Sequence, residues 1–321
     1  MTDLFVANLS SPVVLAFALG IIARLLGSDL RLPRDAYAAL SIYLLFAIGL
    51  KGGHELARAP LDELLAPALA TLALGCLTPV CAYGVLRGLG GFAVADAAGI
   101  AAHYGSVSAV TFLAAQSFCA TAGIAVEGYM PTLLTLLESP GIVIALVIGV
   151  MRSGGARPLS AALHEILVGR SMVLLLGGLA VGAIAGDAGW NSVSAFFEGG
   201  FRGALVLFLL EMGVVTAERL GDLRRVGPFL LAFGMAFPLA SGAAAAAVGV
   251  AVGLSPGGAT VLAAMAASAS YIAAPPAVRL SLPTANPTYS LTAALAITFP
   301  FNLAVGIPVY NEVALRLGGA S

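Results

Sequence analysis

Ten apolar segments follow one another through almost the whole chain of 321 residues. A helix needs about 20 mostly apolar residues to cross the hydrocarbon core of a bilayer. The segments lie at residues 4–23, 37–50, 64–86, 97–117, 131–151, 171–186, 201–217, 228–252, 258–277 and 290–313, of which the second and sixth are short. Charged or Gly/Pro-rich breaks, such as Lys51-Gly52-Gly53 and Ser255-Pro256-Gly257-Gly258, separate them. The pattern predicts an all-α integral membrane protein with ten transmembrane helices.

The composition supports a location within the bilayer. Hydrophobic residues make up 60% of the chain and charged residues 10%, with a mean hydropathy of +1.01, whereas a soluble domain carries about 25% charged residues. The formal net charge of −1 argues against a nucleic-acid partner. The first segment lacks the basic flank and cleavage site of a signal peptide, so we expect it to remain in the protein.

The distribution of Lys and Arg predicts the orientation. With ten spans, one face receives eleven basic residues: Arg24, Arg31, Arg34, Arg87, Arg152, Arg157, Arg170, Arg219, Arg224, Arg225 and Arg279. The other face receives four: Lys51, Arg58, Arg202 and Arg316. Because loops rich in Lys and Arg stay on the cytoplasmic side, both termini are expected to lie outside.

Small and polar residues recur at a nearly constant offset. The matched pairs are Gly49 and Gly213 (164 apart), Ser106 and Ser268 (162), Ser108 and Ser270 (162), and Pro140 and Pro300 (160). Duplication is the favoured interpretation, and chance similarity of apolar segments is the alternative. Since five spans are an odd number, the second half must be inverted relative to the first. The predicted units are a first repeat at 1–151, a short cytoplasmic link at 152–170 and a second repeat at 171–321.

The two serine-containing segments are the predicted substrate site. Interrupted helices offer free N–H groups and the positive ends of helix dipoles to an anion, and serine hydroxyls can donate to an oxyanion or turn a lone pair toward a cation. The substrate-binding candidates are Gly105, Ser106, Ser108, Ser268 and Ser270. The alternative is that the hydroxyls bond to preceding helical carbonyls or that the small residues only pack helices.

Polar side chains elsewhere in the apolar segments give further candidates. Glu138, before Ser139-Pro140, and Glu211 could bind Na⁺ or carry a proton, because intramembrane carboxylates are functional candidates by default; alternatively, Glu211 reaches the interface. Asn286 is expected to cap a helix or turn, and Asn302 could satisfy the backbone freed by Pro300.

Glycine spacing and the cysteines and histidines carry less information. Gly178, Gly182 and Gly186 allow a close helix contact, either between subunits or within the chain. The three cysteines are expected to be small buried hydrophobes. The three histidines are far apart and form no HExxH motif, so no transition-metal site is expected, and an enzyme is the least favoured reading.

One long stretch resembles a known family. Met265–Ile272, Pro275-Pro276-Ala277-Val278-Arg279 and Pro283-Thr284-Ala285-Asn286-Pro287 are similar to the ninth-span signature of the sodium-dependent bicarbonate transporter family. This family includes the cyanobacterial high-affinity bicarbonate permeases and their wider bacterial homologues. The resemblance extends to Ile48–Gly53 and Gly221–Arg225, and so covers essentially the whole chain.

The resemblance implies an architecture and a function. It implies two inverted five-helix repeats, broken helices in spans 4 and 9, and a core that moves against a more static domain. Bicarbonate and Na⁺ would bind where the broken helices meet, with Na⁺ as the coupling ion and no other cofactor. A homotrimer in the bacterial inner membrane, with a PII-like cytoplasmic regulator, is also implied.

Several positions differ from the cyanobacterial pattern. Val110 stands where that pattern has serine, and Tyr271 where it has aspartate, while Glu138 falls at an aspartate position. The Na⁺ candidates carried over are Ser108, Thr111, Glu138, Ser270 and Tyr271. The sequence favours a symporter for Na⁺-dependent uptake of bicarbonate. The alternatives are a Na⁺- or H⁺-coupled carrier of another small (organic) anion, and a non-transporting anion-sensing membrane protein.

Overall fold

The computed structural model describes residues 2–153 and 159–319, and the chain in these ranges is helical without a β-strand. Residues 154–158 of the predicted link, which include Arg157, lie outside the described residues. The first nine helices are α1 (Thr2–Leu9), α2 (Pro12–Leu25), α3 (Arg34–Leu56), α4 (Leu61–Gly88), α5 (Val94–Tyr104), α6 (Ala109–Thr121), α7 (Met130–Leu137), α8 (Pro140–Arg152) and α9 (Leu159–Leu167). The others are α10 (Arg170–Ser194), α11 (Phe201–Leu220), α12 (Leu223–Ala251), α13 (Pro256–Ala266), α14 (Ala274–Ser281), α15 (Pro287–Thr292), α16 (Phe299–Phe301) and α17 (Ile307–Gly318).

Seven helical stretches of the described chain are long and apolar enough to cross a membrane. They are Arg34–Leu56, Leu61–Gly88, Val94–Thr121, Met130–Arg152, Arg170–Leu220, Leu223–Ala251 and Pro287–Gly318. The fifth has 51 residues, which at about 1.5 Å per residue is more than twice the thickness of the hydrocarbon core. It contains α10, the π-helical turn Ala195–Gly199 and α11. Two further apolar helices, α2 and α13, are shorter than these seven stretches.

Helix boundaries differ from the sequence expectation where glycine was taken as a helix breaker. The predicted break at Lys51-Gly52-Gly53 is wrong, because α3 continues to Leu56. Gly53 packs against the backbone of Leu179 and has no room for a Cβ. The sixth segment, predicted to end at residue 186, continues to Ser194 through a kink at Gly186, where φ is +59°. In both places glycine serves packing or a bend within a continuing helix.

Two close helix pairs organise part of the bundle. Helix α3 packs along α10, and α2 packs along α11. A Cβ on Gly49 would lie 2.9 Å from Cα of Gly178, and one on Gly20 would lie 3.0 Å from Cα of Gly213. Small residues at such crossings let the helix backbones approach closely. Gly178, like Gly182, which meets Leu50, therefore serves packing within the chain rather than a subunit contact.

Helices α5 and α13 lie at the centre of the molecule. Both have 11 residues, and α13 is buried along Gly257–Ala266. The outer helices show apolar side chains instead, with Ile184 on α10 86% exposed and Leu65 on α4 62% exposed. An exposed apolar face of this kind suits contact with lipid.

Ion pairs lie at both ends of α3. Near its C-terminus, Lys51 Nζ lies 2.5 Å from Glu198 Oε1. Near its N-terminus, Arg31 lies 2.9 Å and Arg24 3.7 Å from Glu218. The 23 residues of α3 span about 34 Å. Lys51 therefore lies toward the opposite end of α3 from Arg24 and Arg31, which the loop charges assign to the other face.

Candidate functional site

Two non-helical segments meet within the buried core. Residues 105–108 separate α5 from α6, and residues 267–273 separate α13 from α14. The Ser108 N–H donates to Ser268 Oγ at 2.8 Å, and the Ser270 N–H donates to the His103 carbonyl at 2.8 Å. The sequence-predicted serines of both segments, Ser106 included, are buried. The structure thus brings the two predicted segments into direct contact.

The four serine hydroxyls have different partners. Ser106 donates to the Glu138 carbonyl and Ser268 to the Met265 carbonyl, both at 2.7 Å. Ser108 Oγ instead accepts the N–H that opens α6, and Ser270 Oγ accepts the N–H just before α14. A serine that accepts a capping bond keeps its own O–H for another acceptor. Ser108 and Ser270 therefore hold the hydroxyl protons that are free to donate.

Ser108 and Ser270 line one small cavity of about 10 Å³. Glu138, Ser171 and Tyr271 contribute polar side chains to the same cavity. The Glu138 carboxylate faces the Ser171 hydroxyl and forms no ion pair with the described basic residues. The buried Tyr271 hydroxyl faces Ser108 without completing a well-formed hydrogen bond. A space of this size holds about one water molecule.

Gly105 and Thr111 lie beside this cavity rather than on its lining. A Cβ on Gly105 would lie 2.9 Å from Cα of Gly141 and 2.8 Å from Cβ of Pro79. The absence of a side chain at Gly105 thus allows α8 to approach closely. Thr111 is buried, and its N–H donates to Ser108 Oγ at 3.3 Å.

Ser171 is a polar contributor to the cavity that sequence reasoning missed. It is buried in the first turn of α10, a helix that packs along α3. A single serine near the end of an apolar segment carries no distinguishing signal, and its nearness to Glu138 depends on long-range packing.

Asn302 supports the second non-helical segment. Its Nδ2 donates to the Ala267 carbonyl at 2.7 Å, and its Oδ1 accepts from the Tyr310 hydroxyl at 2.8 Å. The prediction that Asn302 satisfies the backbone freed by Pro300 is therefore wrong. Pro300 lies instead between two π-helical stretches, Ala293–Thr298 and Asn302–Gly306, which adjust the helix around it.

Other predicted polar residues lie away from the cavity. Asn286 caps α15 by accepting the Thr288 N–H at 3.0 Å, as predicted. Glu211 is buried, accepts the Leu32 N–H at 2.8 Å and lies 3.9 Å from Arg31. It therefore fastens the α2–α3 connection to α11.

The cysteines and acidic residues of the described chain form no metal site. Cys119 is buried, whereas Cys81 is exposed, so the expectation of burial is wrong for Cys81, which lies on the outer helix α4. Within residues 2–153 and 159–319, no group of three His, Cys, Asp or Glu side chains is arranged to hold a metal ion.

A larger cavity of about 540 Å³ lies toward the end of α3 that carries Lys51. Its charged lining residues include Glu127, Glu198 and Arg202. Leu113 lines this cavity, one helical turn beyond Ala109, which lines the small cavity. The two spaces are therefore separated by about one turn of α6.

These features define a multi-pass membrane protein of apolar helices with a buried polar centre between interrupted helices. The chain belongs to the Na⁺-dependent bicarbonate transporter superfamily, whose family model matches residues 12–315. Membership implies transport rather than catalysis. No curated protein matches the chain.

Proposed function

We propose that the protein is a secondary active symporter for Na⁺-dependent uptake of bicarbonate, with the anion held between the two interrupted helices. The observation that carries this proposal is the pair Ser108 and Ser270. The Oγ of each serine accepts a backbone N–H near the start of the helix that follows. Each serine keeps its own hydroxyl proton for another acceptor, and both line the same small cavity.

This arrangement has the chemistry that a small oxyanion needs. The N-terminal ends of α6 and α14 supply partial positive charge, and the two hydroxyls supply donors. No fixed positive charge lines the small cavity, which favours weak and reversible binding. A cavity of about 10 Å³ is too small for an anion of several non-hydrogen atoms. Binding would therefore require the two segments to separate, and the larger cavity beside Leu113 offers a route from outside.

We propose an inverted repeat of ten spans, with units 1–151 and 171–321 joined by the link 152–170 and with both termini outside. The pairs α2–α11 and α3–α10 support this, because exchanging the halves converts one pair into the other. Helices α5 and α13 begin 162 residues apart and have equal lengths. A homotrimer in the bacterial inner membrane and a PII-like cytoplasmic regulator are further expectations that rest on family resemblance.

The proposed coupling ion is Na⁺, with oxygens of Ser108, Glu138, Ser270 and Tyr271 around the cavity and Thr111 beside it. Proton coupling is the second candidate, and Glu138 favours it. This carboxylate is 4% exposed and has no basic partner among the described residues. A buried carboxylate in that setting either binds a cation or takes up a proton.

Uptake of labelled bicarbonate into proteoliposomes tests the proposal. An inward Na⁺ gradient is expected to drive uptake, and Glu138→Gln is expected to abolish the stimulation by Na⁺. Glu312→Gln is the matched control, because Glu312 pairs with Arg316 on the surface. Uptake driven only by a pH gradient would replace Na⁺ with H⁺ as the coupling ion. No uptake under either gradient would overturn the transport proposal.

A further inference from the structure

A separate cavity of about 220 Å³ lies beside α5 and α14. It shares no lining residue with the small cavity of Ser108 and Ser270. Its polar lining includes Asp96, His103, Arg279 and Asn286. The loop charges assign Arg279 to the cytoplasmic face, at the opposite end from Lys51.

His103 is the most deeply buried polar residue that lines this cavity. Its side chain is almost fully enclosed, with the residue 1% exposed, and Nδ1 has no hydrogen-bond partner among the described residues. The ring faces the backbone of Ser270, and the His103 carbonyl accepts the Ser270 N–H. A buried ring nitrogen without a partner is costly, so this atom is suited to a polar ligand.

Arg279 supplies the positive charge. It is exposed, and it forms no ion pair or hydrogen bond with the residues that the structure describes. Asp96, the acidic residue of the cavity, accepts the Asn286 N–H at 2.7 Å and forms no ion pair with Arg279. The guanidinium group, with its planar set of donors, is therefore available for an oxyanion.

We propose that this cavity is a second binding site for a small oxyanion, with Arg279 at its mouth and His103 at its inner end. The inference rests on the proposed function and adds an inward-side site to it. A hydroxyl-bearing oxyanion such as bicarbonate offers both a donor and acceptors, so it can pair with Nδ1 in either tautomer of the ring. A volume of about 220 Å³ also leaves room for bridging water.

The position of His103 links this site to the small cavity. His103 and Ser270 are joined through the backbone, while Ser270 lines the other space. An anion released past Ser270 would next meet His103 and then Arg279. Occupancy of the second site from inside would oppose further release, so internal bicarbonate would slow net uptake.

Cysteine protection tests binding without requiring transport. Ala285 is partly exposed and lines the cavity, so Ala285→Cys is introduced after Cys76, Cys81 and Cys119 are replaced by serine. The purified protein is treated with an anionic methanethiosulfonate, with bicarbonate or with chloride at equal ionic strength. Bicarbonate is expected to slow modification of the new cysteine relative to chloride.

Two arginine variants locate the site. Arg279→Gln is expected to raise the half-protecting bicarbonate concentration at least about tenfold, the order of one hydrogen bond to a charged group. Arg224→Gln is the matched control, because Arg224 is exposed, is assigned to the same face and does not line the cavity. It is expected to leave protection unchanged.

The outcomes separate this inference from the proposed function. A protein that takes up bicarbonate but shows no protection at Ala285→Cys overturns the second site and leaves the transport proposal intact. Protection unaffected by Arg279→Gln, or weakened equally by Arg224→Gln, also overturns it. Protection that depends on Arg279 in a protein without uptake supports the site and overturns the transport proposal.

Discussion

Replacing Asn302 by leucine is expected to loosen the second non-helical segment. Asn302 is fully buried and joins the Ala267 carbonyl to the Tyr310 hydroxyl. Leucine has a similar shape but leaves the Ala267 carbonyl unpaired, at a cost of about 1–3 kcal/mol. The Tyr310 hydroxyl keeps its bond to the Pro238 carbonyl at 3.1 Å, so losing its second partner adds at most about 1 kcal/mol.

Asn302→Leu should therefore lower the free energy of unfolding by about 1–4 kcal/mol. Unfolding of the purified protein, followed by circular dichroism in detergent, measures this loss. Bicarbonate uptake should fall as well, because Ala267 begins the segment that carries Ser270. Ser11→Ala is the control: it removes the serine cap of α2, worth about 1 kcal/mol, and should leave uptake unchanged.

Tyr310→Phe separates the two bonds of Asn302. It removes the tyrosine hydroxyl but leaves the bond from Asn302 to Ala267, so it should preserve uptake. If Asn302→Leu unfolds like the wild type and transports normally, the anchoring role is refuted. Equal loss of uptake in both variants would also refute it, since only one of them releases Ala267.

Two further predictions concern packing and connection. Gly178→Ala should destabilise the protein by about 1–3 kcal/mol, because the added Cβ would clash with the backbone of α3. Gly177→Ala, whose Cβ would lie in open space, should stabilise the protein by up to about 1 kcal/mol. Equal unfolding temperatures of the two variants would contradict this. Glu211→Ala should cost about 1–3 kcal/mol by leaving the Leu32 N–H unpaired, and a wild-type denaturation midpoint would contradict that role.

The sequence was enough to predict much of the fold, because a bilayer restricts a chain to helices of known length. The serine pairs marked the two non-helical segments that meet in the core. The same local reasoning failed at Lys51-Gly52-Gly53. A glycine considered alone suggests a helix break, but Gly53 lies within α3 and provides the close contact with α10. Ser171 escaped prediction because its proximity to Glu138 comes from the packing of distant helices.

One matched pair of serines, Ser108 and Ser270, has the same role in both segments, whereas the other pair does not. Ser108 and Ser270 do the same work, each accepting a backbone N–H three residues ahead. In an inverted repeat, the bond from Ser108 N–H to Ser268 Oγ would be mirrored by one from Ser270 N–H to Ser106 Oγ. Instead, the Ser270 N–H meets the His103 carbonyl, and Ser106 donates to the Glu138 carbonyl. The residues that face the cavity therefore match the proposed repeat symmetry, whereas those that join the two segments do not. The proposed transport requires a site that opens alternately to two sides and is therefore asymmetric in any one conformation; on that proposal the asymmetry lies in the bonds of Ser106 and Ser268.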